Sequence, residues 1–291
     1  MKLNPFNKKI GIALGGGAAK GLAHVGVLKA VEENKIKVSC ISGTSVGAII
    51  ASYYAFGKEL KDIEVFSEKL RAKDVFKLTL NKKGFLSTDS VRKMLHNDIG
   101  DVKIEQARIP LAICTTDIRT GESVIFKQGS LLDAVCASVA VPGIFLPVEV
   151  QGRLLVDGGI SNNLPVKVLE QMGAGITIAV DLNGVNRYPE VHNFIDIIGN
   201  AIDIAIDLRT KEQLQLADIK ISLDLGDYSR LDNSHQKDML FDVGYEVATK
   251  QISRLFWYRR LSLFYYVKKA LKLLTPIKTP QIILDLKKKI T

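Results

Sequence analysis

Three short stretches combine chemically active residues with glycines that let the backbone come close to them. The first is Gly43-Thr44-Ser45-Val46-Gly47, a G-x-S-x-G pentapeptide. It follows the strand-like IKVSCIS and precedes VGAIIASYYA, a helix start rich in small residues. That strand–turn–helix setting presents a serine on a sharp turn as a nucleophile. The glycines leave no Cβ beside the turn, and the helix N-terminus favours developing negative charge. The plainer alternative is a tight turn with an idle serine. The second stretch, Gly15-Gly16-Gly17-Ala18-Ala19-Lys20-Gly21, follows the first strand-like run and opens a helix. It fails the G-x-G-x-x-G dinucleotide fingerprint and the Walker loop. What it offers is a row of backbone N–H groups at a helix N-terminus, beside a lysine. Such donors can hold an oxyanion, each worth about 3 kcal/mol. The third is Asp157-Gly158-Gly159 at the end of RLLV. An acid at a strand's C-terminal edge can face the crevice where α/β proteins bind ligands. A carboxylate can take a serine proton directly when partial burial raises its pKa. Alone, a DGG turn in a hairpin is the commoner reading.

A serine nucleophile needs a base. His24 sits inside the helix pattern LAHVGVL and reads as structural, while His96, His192 and His235 lie in polar surroundings with no motif. An ordinary α/β-hydrolase would order its triad Ser, acid, His and place the elbow after several strands; here the elbow follows the second strand-like run. Asp157 is therefore the better candidate. The three Cys, at 40, 114 and 136, form no CxxC, so neither a zinc site nor a disulfide framework is indicated and a reducing compartment fits. No metal or cofactor is called for.

The elements that must carry these residues alternate. Strands are expected at Lys9–Leu14, Ile36–Ile41, Ile109–Thr115, Ser123–Phe126, Leu154–Val156, Ile176–Asp181 and Ile219–Leu223. Most are continuous apolar runs, as in strands buried on both faces. Helices are expected at Leu22–Glu33, Val46–Phe56, Glu59–Leu70, Thr88–Leu95, Leu131–Ser138, Pro165–Gln171, Phe194–Ala217 and His235–Leu255. Alternation of this kind predicts an α/β fold around a mostly parallel sheet.

GGGAAKG, GTSVG and DGG in that order resemble the patatin-like phospholipases, specifically their compact bacterial branch. The resemblance extends through Thr115-Thr116-Asp117, Thr120-Gly121-Glu122, Ala137-Ser138 with Pro142 and Pro147, and Ser161-Asn162-Asn163-Leu164-Pro165, spanning about residues 9–250. It implies a three-layer α/β/α fold and metal-free hydrolysis of lipid acyl esters by a Ser–Asp dyad. Carried over, Ser45 is the nucleophile and Asp157 the proton acceptor. Gly16, Gly17 and Ala18 supply oxyanion N–H groups, with Lys20 flanking them; Gly15, Gly21, Gly43, Gly47, Gly158 and Gly159 shape the motifs. The family pattern G-G-G-x-[RK]-G has its third glycine where Ala18 stands. The N–H survives, but a positive φ there would be strained.

The chain has 291 residues, 47% hydrophobic and 24% charged, the usage of a globular protein. Of 40 Lys+Arg and 31 Asp+Glu, 11 basic residues and one acid fall in residues 250–291, leaving 29 and 30 in a nearly neutral remainder. Neutrality of the body and the absence of a recognition motif argue against nucleic acid as partner. The expected organisation is a catalytic domain, 1–250, and a basic, aromatic-rich amphipathic tail, 251–291. In the tail Ile252, Phe256, Leu263, Val267, Ala270 and Leu274 can share a helical face, interleaved with Arg259, Arg260, Lys268, Lys269 and Lys272 and accompanied by Trp257, the one tryptophan. That composition suits a helix lying on an anionic membrane surface, or equally a terminal helix packed on the domain. No signal-peptide or membrane-spanning pattern is read, so a cytoplasmic location is expected, peripheral at the inner membrane surface if the tail binds lipid. Two other function classes stay open: a catalytically weak lipid- or partner-binding module of the same fold, and an acyl thioesterase or acyltransferase. Oligomeric state is not legible.

Overall fold

The computed structural model describes residues 8–69, 86–185, 188, 190–192, 194–226, 228 and 236–260. The chain divides into two units, Lys8–Ile252 and Met1–Asn7 with Ser253–Thr291; of the second, residues 253–260 are described. The aromatic and basic run 261–291 lies outside the described residues.

Strands β1 (Ile10–Leu14), β2 (Val38–Thr44), β3 (Leu111–Asp117), β4 (Ser123–Phe126), β5 (Val148–Val150), β6 (Arg153–Asp157), β7 (Ile176–Asp181) and β8 (Ile219–Ser222) form one sheet. It follows the path β5-β6-β3-β2-β1-β7-β8, with β4 on β3. The pairs β1–β2, β1–β7, β2–β3 and β7–β8 are parallel. β4, β5 and β6 pair antiparallel. β1, β3 and β7 are buried along their whole length, as their continuous apolar sequences require. β4 lies partly exposed.

Helices α1 (Leu22–Glu33), α2 (Val46–Ala55), α3 (Leu60–Lys69), α4 (Asp89–Asp98), α5 (Leu131–Ser138), α6 (Gly159–Asn162), α7 (Val166–Gln171) and α8 (Phe194–Leu216) flank the sheet, and α9 (Lys237–Arg260) meets α1 at Gly26 and Gly244. Successive residues of a strand face opposite sides. On β1, Gly11 and Ala13 turn to α7: a Cβ at Gly11 would lie 3.1 Å from the Cβ of Leu169, and Ala13 shares a core cluster with Leu164, Val166 and Leu169. Ile10, Ile12 and Leu14 turn to the other face, where α2 packs on β1, β2 and β3. α2 is buried nearly all round, as a helix composed of VGAIIASYYA must be.

The sheet order sets where a site can lie. From β1 the chain steps outward to β2 and β3, then returns to the opposite side of β1 with β7. Between β1 and β7 the winding reverses, and the crevice outside the C-terminal ends of the strands opens there. The glycine loop leaves β1 at that point. The expected strand at Ile109–Thr115 runs Leu111–Asp117, because Pro110 has no N–H for the ladder. The short β5 and α6 have too few residues to show a period, and no sequence pattern marks them. The last helix extends to Arg260.

Candidate functional site

The meeting of Ser45 and Asp157 follows from strand register. A strand has two edges, and β4 occupies one edge of β3 from Ile113 to Thr116. On the other edge β2 runs parallel to β3 and ends with Thr44 opposite Cys114. β6 comes from the other direction along that same edge and ends with Asp157 opposite Thr115. Two strand ends thus meet head-on beside Cys114 and Thr115. Ser45 follows one and Asp157 closes the other, which sets the serine hydroxyl beside the carboxyl, where it pulls the carboxyl's pKa down.

Ser45 has φ 55 and ψ −127, a backbone conformation that side chains avoid, at a cost of roughly 1–3 kcal/mol. Its surroundings hold it there. The Ser45 N–H donates to Ser138 Oγ (2.9 Å), which donates to the Cys114 carbonyl (2.7 Å). The Ser45 carbonyl accepts from the N–H groups of Ala48 and Ile49, the first turn of α2. Thr44 Oγ1 donates to the Asn162 carbonyl at 2.9 Å. The flanking glycines are demanded by close approach: a Cβ at Gly43 would lie 2.3 Å from the Gly47 carbonyl oxygen, and one at Gly47 would lie 2.2 Å from that of Leu14.

The Asp157 side chain is buried and accepts the Gly159 N–H on Oδ1 at 2.7 Å. Burial pushes its pKa up to about 6, against the pull of the Ser45 hydroxyl and the Gly159 N–H. Asp157-Gly158-Gly159 forms no hairpin turn; it passes directly from β6 into α6. Gly158 is needed because a Cβ there would lie 2.3 Å from the Cys114 carbonyl oxygen.

The glycine loop lies beside Ser45: a Cβ on Gly16 would come 3.2 Å from the Ser45 Cβ. The Gly15 N–H donates to the Val180 carbonyl (3.0 Å) and the Gly16 N–H to Asn163 Oδ1 (3.0 Å). Among the described residues, the N–H groups of Gly17, Ala18 and Val46 have no protein acceptor. Ala18 sits at φ 51, the left-handed conformation that glycine adopts more readily. Gly17 lies against Leu182, and Gly21 against Val46. Lys20 is buried, with Nζ donating to Asn183 Oδ1 at 3.2 Å. Burial pushes the carboxyls of Asp181 and Asp207 up, and the charges of Lys20 and Lys211 draw them back.

His24 is fully buried and bonds the Gly15 carbonyl, so it supports the loop. Asn163 and Ser138 both lie in stretches that the sequence marks, Ser161–Pro165 and Ala137-Ser138, yet neither has a chemical signature that singles it out. Their parts, holding Gly16 and Ser45, appear only in three dimensions. Among the described residues no group of three or more His, Cys, Asp or Glu side chains is arranged to hold a metal ion. None of their helices is long and apolar enough to cross a membrane.

Residues 12–170 match the family model of patatin-like phospholipases. An uncharacterized NTE family protein of Mycobacterium tuberculosis is 36% identical over 184 residues, 62% of this chain and 51% of that protein. Human patatin-like phospholipase domain-containing protein 6 is 34% identical over 186 residues, 60% of this chain and 13% of that protein. The chain thus spans about half the length of the mycobacterial relative and a small part of the human one. Among solved structures, VipD from Legionella pneumophila aligns with a TM-score of 0.51 over 84% of this chain and 67% of its own, at 15% identity, a likeness of fold. The family match covers more than half of the chain and takes in the glycine loop, the serine turn and Asp157-Gly158-Gly159; the chain belongs to the patatin-like phospholipase family.

Proposed function

We propose that this chain is a serine acyl hydrolase of lipid esters, phospholipid or lysophospholipid, working through a Ser45–Asp157 dyad. The observation that carries this reading is the contact of a strained serine with a buried carboxyl whose pKa stands at about 6. Such an acid is ionised at neutral pH yet basic enough to accept a proton in the transition state. Ser45 Oγ attacks the ester carbonyl while its proton passes to Asp157. The carbonyl oxygen becomes an oxyanion held by the open N–H groups of Gly17 and Ala18, with the Gly16 N–H engaged by Asn163. Collapse breaks the ester bond, and the alcohol leaves with the proton from Asp157. Water then gives its proton to Asp157 and attacks the acyl-serine; collapse breaks the bond to Ser45 Oγ, which takes the proton back from Asp157, and the fatty acid is released.

Two features support an apolar substrate. One is family membership. The other is α8, whose Asp207 and Thr210 are buried while Ile197, Ile204 and Leu208 stand exposed on its outer side. Exposed apolar residues along one side of a helix suit contact with lipid, while Leu214 and Leu216 of the same helix pack on the core. The basic tail adds a second expected contact, with an anionic membrane surface. Removing residues 261–291 should weaken binding to anionic vesicles more than hydrolysis of a soluble ester, and added salt should do the same. Equal vesicle binding with and without the tail would refute that role.

The deciding experiment compares the protein with Ser45→Ala on mixed phospholipid and lysophospholipid vesicles, measuring released fatty acid. Release from the wild type that falls at least about 1000-fold in the variant is expected. Robust release by Ser45→Ala would overturn the assignment. No release from either, with vesicle binding intact, would point to a binding module or to acyl thioesters as substrates.

A further inference from the structure

The Gly15–Gly16 peptide is gripped at both ends by side chains, one from the helix that follows the loop and one from a distant part of the chain. Its carbonyl oxygen lies 2.8 Å from His24 Nε2, on α1. Its N–H donates to Asn163 Oδ1 at 3.0 Å, just beyond α6. In a trans peptide these groups point in opposite directions, so partners at both ends fix the plane of the peptide. The preceding N–H is bound to Val180 of β7, and the Gly17 carbonyl accepts the Lys20 N–H at 3.2 Å. Between the gripped peptide and the Gly17 N–H only the two dihedrals of Gly16 remain.

Each grip has a defined polarity. The partner of His24 Nε2 is a carbonyl, so that nitrogen carries the hydrogen. Burial pushes the pKa of His24 down to about 4, which keeps the ring neutral. Its Nδ1 is buried with no partner among the described residues. An apolar side chain of similar size would leave no such orphan, so the contribution of the imidazole is the bond to Gly15. At the other end, the Thr210 hydroxyl donates to the Ile206 carbonyl at 2.8 Å. It therefore accepts from Asn163 Nδ2 at 2.9 Å, and this turns Asn163 Oδ1 toward Gly16.

We propose that His24 and Asn163 are positioning residues that clamp the Gly15–Gly16 peptide from both ends and so aim the Gly17 and Ala18 N–H groups at the substrate oxyanion. Successive glycines have no conformational preference that would hold such donors in place. Donors lower a barrier only when they are already oriented. The inference rests on the acyl-hydrolase reading above.

The test uses the full chain, His24→Leu, His24→Gln and Asn163→Ala, each checked for folding by thermal melting. A soluble short-chain p-nitrophenyl ester gives kcat and KM, and glycine-selective 15N labelling reports the Gly16 amide without any turnover. His24→Leu and Asn163→Ala should lower kcat by at least about 10-fold with KM within about twofold, since the lost interaction is one made in the transition state. Both should shift the Gly16 resonance. His24→Gln, whose amide can reach the Gly15 carbonyl, should recover most of kcat. Folded variants that keep kcat within about twofold, or an unmoved Gly16 resonance, would overturn the clamp. If His24→Leu does not fold, Asn163→Ala and the glutamine variant decide. A wild type that hydrolyses no ester would sink the acyl-hydrolase reading, and the Gly16 resonance would still decide whether the peptide is clamped.

Discussion

Replacing Asp157 by Asn should make the protein more stable and inactive, with the gain dependent on pH in a calculable way. In the folded protein burial raises the Asp157 pKa from its ordinary 3.8 to about 6. The folded state therefore binds the proton more tightly than the unfolded chain. Stability contributed by this carboxyl is present at low pH and is lost as pH rises from 3.8 through 6. Above 6 the folded protein carries an ionised acid that it disfavours by about 3 kcal/mol, the full separation of the two values at 1.36 kcal/mol each. The amide of Asp157→Asn does not ionise, and its Oδ1 can still accept the Gly159 N–H. The variant should thus exceed the wild type by up to about 3 kcal/mol at pH 8. At pH 4, where the folded acid is protonated and the unfolded one about half so, the gain should shrink to about 0.5 kcal/mol. Urea unfolding at the two pH values, read as the difference between variant and wild type, measures this directly. A gain that is the same at pH 4 and pH 8, or larger at pH 4, would refute the assignment of a raised pKa to Asp157. Turnover in the variant should fall by at least about 100-fold, as expected when a proton acceptor is removed.

Three further outcomes follow from the same geometry. Ser45→Gly should be more stable than Ser45→Ala by about 1–2 kcal/mol in urea unfolding, because both lose the hydroxyl and only glycine relaxes the backbone at φ 55; equal stability would contradict the strain. On a soluble ester, kcat/KM should fall about tenfold per pH unit below an apparent pKa near 6 and level off above it, since Asp157 must be ionised to act. Gly47→Ala should cost at least about 2 kcal/mol and most of the soluble protein, because its Cβ would lie 2.2 Å from the Leu14 carbonyl oxygen and α2 would have to leave the sheet.

Much of this architecture is legible from residue types because the constraints behind it are local. Continuous apolar runs such as ITIAVD predict a strand covered on both faces, and β7 is buried throughout. Small residues at the start of VGAIIASYYA predict close approach, and α2 lies against the Leu14 and Gly15 carbonyls through Gly47. A polar residue would not suit the first and an added methyl group would forbid the second, so each leaves a mark in the sequence. Ala18 carries such a mark in reverse: an alanine in a glycine pattern signals strain, and its φ is 51.

What the sequence leaves hidden depends on which edge of β3 each strand takes. β2 and β6 share that edge only because β4 fills the other, and no residue of GTSVG or DGG encodes the arrangement. Taken alone, Asp157 reads more readily as a hairpin turn residue until β6 is aligned antiparallel to β3. The same holds for the supports. Asn163 and Ser138 are small polar residues of kinds found in any loop or helix end, and each acts by donating or accepting one bond at a distance. His24 looks like part of a helix because it is one; its ring turns to the glycine loop that precedes the helix. A serine, an acid and three glycines can thus be recognised as chemistry, whereas the bonds that orient them come from residues whose identity is ordinary and whose position is not.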